Sequence, residues 1–254
     1  MPEYATILVD EGSAVARITL NRPDKRNPIG PLTCGELVQA LAAIKANDRV
    51  RVVVLTGAGT VFSAGGDLSA MQAKQGPTAT LVELLVAMHQ LGKPIIAMVN
   101  GHALAGGLGL MVACDLVVAA ETAEFGTTEI AVGLWPMMIT AELTRSVGRK
   151  TVLEMMLTGR RLSSAEALAA GLVNRVVPAA ELEARTDALA AEIAERSPAA
   201  MRLGLLAFYA SQDMEFEPQL MYLERELGRV LALEDAAEGI AAFLGKRKPV
   251  WKGR

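Results

Sequence analysis

An α/β core followed by a helical carboxy-terminal third is the fold class that the sequence predicts, and three observations point to it. Apolar, β-branched runs of strand length alternate with segments of helical period, and glycine-bearing turns follow several of those runs. Beyond about Met138 strand signals thin out while helical periodicity continues. With 254 residues and 52% hydrophobic content, the chain can bury a large core.

Each element follows from its own pattern. Residues 5–10 and 14–20 alternate apolar and polar around the breakers Glu11, Gly12 and Ser13, which predicts a hairpin, and Asn21, Arg22 and Pro23 close it. From Pro31, the apolar residues Leu37, Val38, Leu41 and Ile44 recur at helical spacing. Residues 51–56 then form a continuous β-branched run, typical of a parallel strand buried on both faces. A helix over 81–91, a strand over 94–99, a glycine-rich helix over 104–114 and a strand over 115–119 repeat the alternation of right-handed βαβ units. Further helices are expected over 151–157, 164–170, 180–196, 199–210 and 217–233. No Pro/Ser-rich linker separates the parts, so the division is a core over 1–195 and a helical region over 196–254. The basic stretch from Lys246 to Arg254 reads as a solvated tail.

Composition removes several function classes. A net charge of −3 gives no bulk attraction for nucleic acid or an anionic membrane. The longest apolar stretches, such as 108–114, fall far short of the roughly 20 residues needed to span a bilayer. The amino end, with Pro2, Glu3 and Asp10, lacks the basic start and apolar run of an export signal. Cys34 and Cys114 lie far apart and outside any metal-ligand spacing, which fits a reducing, cytoplasmic setting and no bound metal.

Two glycine segments carry the candidate chemistry. Phe62-Ser63-Ala64-Gly65-Gly66-Asp67-Leu68 and Asn100-Gly101-His102-Ala103-Leu104-Ala105-Gly106-Gly107-Leu108-Gly109 follow successive buried strands. Glycines there let backbone approach a ligand, and two such turns can aim two amides at one oxygen; the plainer alternative is that Gly106 and Gly107 permit tight helix packing. A third segment, 123–136, sets Glu129 in apolar surroundings, where a raised pKa suits proton transfer. Other motifs fail. The Val53-to-Gly59 run opens like a dinucleotide fingerprint but has Phe62 at the third glycine position, and no phosphate-binding P-loop occurs. Ser63 lacks a nucleophile elbow, and with just two histidines, His89 and His102, the sequence argues against both metal ligation and a serine triad.

Taken in order, these segments resemble the crotonase superfamily of enoyl-CoA hydratases and isomerases. The likeness runs from Ile18-Thr19-Leu20-Asn21-Arg22-Pro23 through both glycine segments, Ala113-Cys114-Asp115-Leu116 and Phe125 to Glu129, and ends at Ala242-Phe243-Leu244-Gly245-Lys246-Arg247-Lys248. It implies a spiral ββα core with a helical C-terminal oligomerisation region, and an acyl-CoA (enoyl-CoA) substrate whose coenzyme A is part of the substrate, with no tightly bound cofactor. The amides of Gly66 and Gly106 would form an oxyanion hole, and Glu129 would be the acid/base. Coenzyme A would meet Lys25, Arg26, Ala64, Asp67, Leu68, Phe243 and Lys246. The helical region, with Leu203, Leu205, Leu206, Phe208, Leu220, Met221, Tyr222 and Leu223, would build a homotrimer or a dimer of trimers.

One departure decides the expected reaction. Hydratases of this pattern carry a second glutamate where this chain has Gly109, and glycine cannot act as a base. A single carboxylate still suffices to move a proton between two carbons, so double-bond isomerisation is the expected activity. The alternatives are a hydratase that holds water without the second Glu and a non-catalytic acyl-CoA-binding or assembly protein. Trp135, Met137 and Met138 would shape the acyl pocket. Glu142, one helical turn beyond Met138, is a candidate replacement carboxylate, with a solvated helix face as its plainer reading.

Overall fold

Ile7–Glu11 (β1) and Val15–Leu20 (β2) pair antiparallel with Ile7 opposite Leu20, and every second residue of β2 is buried. Val52–Gly57 (β3) and Ile95–Val99 (β4) have no exposed position at all. That difference reflects covering layers on both faces of the sheet. The computed structural model describes residues 3–12, 14–67 and 78–254. Ala103–Leu104 (β5), Leu116–Ala120 (β6), Glu124–Gly126 (β7), Arg161–Ser163 (β8) and Arg175–Val177 (β9) complete the strands. The main sheet runs β1-β2-β3-β4-β6-β9, parallel from β2 onward, and a small second sheet runs β5-β7-β8.

The helices are Pro31–Ala46 (α1), Leu81–His89 (α2), Gly106–Val112 (α3), Met137–Ser146 (α4), Arg149–Thr158 (α5), Ser164–Ala169 (α6), Leu182–Ala194 (α7), Pro198–Ser211 (α8), Phe216–Leu231 (α9) and Glu234–Leu244 (α10). Val53, Leu55, Ile95 and Ala97 pack with Leu37 and Ile44 of α1 and Leu84 of α2. The intervening residues Val52, Val54, Ile96 and Met98 pack with Leu182, Leu189 and Ala190 of α7. Each of the larger side chains so buried contributes about 1.5–3 kcal/mol, which holds the carboxyl ends of the strands, and the loops they launch, in place. Capping boxes at Thr80 with Glu83 and at Ser163 with Glu166 fix the starts of α2 and α6.

The sequence expectations need three corrections. The glycine-rich helix begins at Gly106, not at 104, because Ala103 and Leu104 are drawn into a parallel pairing with Phe125 and Gly126. Short strands β8 and β9 interrupt the helical stretch; at three residues each, they are specified by their partners β7 and β6 and not by local pattern. The basic tail is pinned and not simply solvated. The Trp251 indole donates to Glu195 O at 2.7 Å, the Lys252 amide to Asp235 Oδ1 at 2.7 Å, and Arg247 pairs with Glu238. Among the described residues, no helix is long and apolar enough to cross a membrane.

Candidate active site

The loops leaving β3 and β4 meet through backbone hydrogen bonds. Ser63 N donates to His102 O, Leu104 N to Ser63 O, and Ala105 N to Gly126 O at 2.8 Å. The first loop is also tied back to the amino end, where Ile29 N donates to Gly65 O and Asp67 N to Ile29 O. Gly65 has φ +110°, and a Cβ there would lie 2.7 Å from the Cβ of Ala105. Ala105 itself has φ +48°, an unusual backbone for a residue with a side chain. These two residues stand back to back and turn the amides that follow them, those of Gly66 and Gly106, outward from the packed layer. Neither amide has an acceptor among the described residues. A Cβ on Gly106 would meet nothing nearer than the Gly66 nitrogen, at 3.8 Å.

The alternative reading of the two glycines is divided between them. Gly107 serves packing, since a Cβ there would sit 2.5 Å from the Ser63 side chain, whereas Gly106 faces open space. Both Gly66 and Gly106 line a cavity of about 470 Å³. Glu129 opens a short 3-10 turn, Glu129–Val132, three residues past the end of β7, and lines the same cavity. Its Oε2 is buried without a hydrogen-bond partner among the described residues. Burial pushes the Glu129 carboxyl above the usual carboxylate range, against a smaller opposing effect of its own backbone amide.

The other predicted residues divide in two groups. Ala64, Asp67, Trp135, Met137 and Met138 line the cavity with Glu129. Met137 and Met138 are largely exposed, at its apolar mouth. Asp67 is buried and ion-paired with Arg22 at 2.6 Å. Arg22 was missed as a site residue because in sequence it only closes a hairpin. Lys25 and Arg26 do not line the cavity, but their turn is fastened to it by a hydrogen bond from Ala64 N to Arg26 O. Phe243 and Lys246, at the end of α10, lie outside it, and Phe243 is 83% exposed. Leu68 falls outside the described residues.

Two candidates are reassigned. Glu142 does not line the cavity and is not on a solvated face: its carboxylate lies 3.4 Å from His89 Nε2. His89 in turn stacks on Tyr209, whose hydroxyl donates to Asp115 at 2.5 Å. Ser63 is no nucleophile, because its hydroxyl is buried and donates to Asn27 O. Cys34 lines the cavity, but burial raises its thiol to about 11 and keeps it protonated near neutrality. Ile139, in the same apolar segment as Met137 and Met138, also lines the cavity.

In its order of strands and the placing of its cavity at their carboxyl ends, the fold is that of the crotonase enzymes. Residues 10–254 match the family described as Enoyl-CoA hydratase/isomerase, and the chain belongs to that family. A Thermus thermophilus protein provisionally named an enoyl-CoA hydratase is 38% identical over 251 residues, covering 96% of this chain and 99% of that one. Among solved structures, an enoyl-CoA hydratase from Mycobacterium smegmatis superposes with a TM-score of 0.91 at 33% identity, over 97% of this chain and 99% of that one. One from Bacillus anthracis gives 0.90 at 34%, over 98% and 100%. The protein is a crotonase-type enzyme.

Proposed function

We propose that the enzyme isomerises the double bond of an enoyl-CoA, with Glu129 as sole acid/base and the amides of Gly66 and Gly106 as the oxyanion hole. The observation that carries this reading is the carboxylate inventory of the cavity. Among the described lining residues only Glu129 and Asp67 are acidic, and Asp67 is engaged by Arg22. In the forward sense, the Glu129 carboxylate takes a proton from Cα of a β,γ-enoyl thioester. The C–H electron pair moves into the carbonyl, and the resulting dienolate oxygen accepts the two amide hydrogen bonds. Glu129, now protonated, returns the proton to Cγ as the double bond re-forms between Cα and Cβ. Each preorganised donor is worth about 2.7–4 kcal/mol where charge develops. The apolar walls add to this by excluding water.

A hydratase is the second reading, favoured by the names of the relatives. Two-carboxylate water addition is opposed by glycine at position 109 and by the engagement of Glu142 with His89. The coenzyme A portion would pass over Ala64, Asp67 and Leu68 beside the Lys25-Arg26 turn. Phe243 and Lys246, remote from their own cavity, would serve a neighbouring subunit. The exposed apolar residues Leu220, Leu223, Leu227 and Leu231 along α9 support a homotrimer or dimer of trimers built by the 196–254 region. A monomeric mass by light scattering at micromolar concentration refutes that assembly.

The deciding assay offers β,γ-enoyl-CoA and α,β-enoyl-CoA separately to the protein and to Glu129→Gln, following conjugated-thioester absorbance and product mass. Conversion of the first without added water, lost in the variant, is expected. Addition of water to the second makes the enzyme a hydratase.

A further inference from the structure

Gly109 lies in α3 directly beneath α4. A Cβ at position 109 would fall 2.0 Å from Cγ2 and 2.8 Å from Cβ of Ile139, so the isoleucine occupies the space into which any side chain at 109 would grow. Ile139 is only 2% exposed and lines the same cavity as Glu129. Its helix is held at that end by the Thr140 hydroxyl, which donates to Pro136 O at 2.6 Å. Glu129, whose Oε2 has no hydrogen-bond partner among the described residues, thus has a hydrocarbon side chain in its cavity where a second carboxylate on α3 would need room.

We propose that Ile139 is a specificity-determining residue of this site: it fills with hydrocarbon the volume beside Glu129 that a reacting water would need, so that the abstracted proton returns to the same substrate molecule. A buried water is stable with about two to four polar partners. The Ile139 side chain supplies none, and it fills the space where a polar side chain at position 109 would stand. With water kept out, the protonated Glu129 has the dienolate as its nearest proton acceptor, and neither exchange with solvent nor addition of water to the conjugated product competes. Shortening Ile139 to alanine vacates the volume of several carbons, enough for one water, whose share of liquid volume is about 30 Å³.

This inference rests on the isomerase reading. Its test runs the β,γ-enoyl-CoA reaction in D2O with the full-length wild type, Ile139→Val, Ile139→Ala and the volume-conserving Ile139→Leu. Initial product is read by mass spectrometry for deuterium at Cγ and for added water. Wild type and Ile139→Leu are expected to retain protium at Cγ. The Val variant should shift part of the product by one deuterium, and the Ala variant more of it, with hydrated product appearing. Because Val removes a single methyl group, it tests the idea even where Ala folds poorly. Equal deuterium content across the series overturns the role of Ile139 while leaving the isomerase intact. Absence of conversion by wild type, or hydration by wild type, removes the isomerase reading and this inference with it.

Discussion

Replacing Gly65 with alanine should damage both the fold and the chemistry, through one contact. At φ +110° the backbone lies where an L side chain costs about 1–3 kcal/mol. The new methyl group would stand 2.7 Å from the Ala105 Cβ and 3.1 Å from Leu104 O, an overpacking that costs about 1–3 kcal/mol more. The sum, about 2–6 kcal/mol, corresponds to roughly 2–4 °C in Tm per kcal/mol for a chain of this size. Relief of the clash must move Gly65 or Ala105, and each is followed directly by one of the two free amides. A displaced donor costs about 10²–10³-fold in kcat, with KM changed far less because the donors act on developing charge. Thermal unfolding by circular dichroism, with steady-state kinetics on the enoyl-CoA the enzyme turns over best, measures both effects. A Gly65→Ala protein that folds, loses Tm and keeps wild-type kcat refutes the link between this back-to-back pair and the proposed oxyanion hole.

Other outcomes are expected. Burial raises the folded-state pKa of Glu129, so its contribution to stability is fully present below the ordinary carboxylate value, about 4.3, and is lost as pH rises through the folded value. Glu129→Gln should therefore gain Tm relative to wild type between pH 5 and pH 8, and a pH-independent difference contradicts this. Gly109→Ala should cost about 1–3 kcal/mol by overpacking, and Ile139→Ala about 2–5. The double variant should cost less than their sum, because each relieves the other, and strict additivity in denaturant unfolding would show that the two do not share that space. Gly204 lies exposed inside α8 with nothing within 4 Å of an added Cβ, so Gly204→Ala should stabilise the protein by about 0.5–1 kcal/mol without altering kcat. Leu227→Glu on the exposed face of α9 should lower the mass seen by light scattering if that face joins subunits.

What could be read from the sequence follows from how local each signal is. The run of β-branched residues before Gly57 and the helical spacing after Pro31 are written in consecutive residues, and both elements form where expected. The strands β8 and β9 carry no such signal, being three-residue segments that exist through pairing with distant partners. The glycine segments and Glu129 were legible as candidates, and the fold brings Gly66, Gly106 and Glu129 to one cavity. The Arg22–Asp67 pair and the Glu142–His89 contact were not legible, since nothing local marks residues joined across the fold. The positive φ of Ala105 was hidden as well, because alanine ordinarily signals unremarkable helix or strand.

The small sheet has a further consequence. Ala105, whose amide bonds Gly126 O, precedes Gly106, and Glu129 follows β7 by only a few residues. The Gly106 amide and the Glu129 carboxylate thus follow neighbouring strands, whose separation is set by backbone pairing and is indifferent to side-chain identity. Much of the remaining cavity wall hangs from different parts, the 130–139 segment and the start of α2. Mutation can therefore reshape that wall while leaving the Gly106 amide and Glu129 at a constant separation. A lineage built this way can change its diet without reinventing its chemistry.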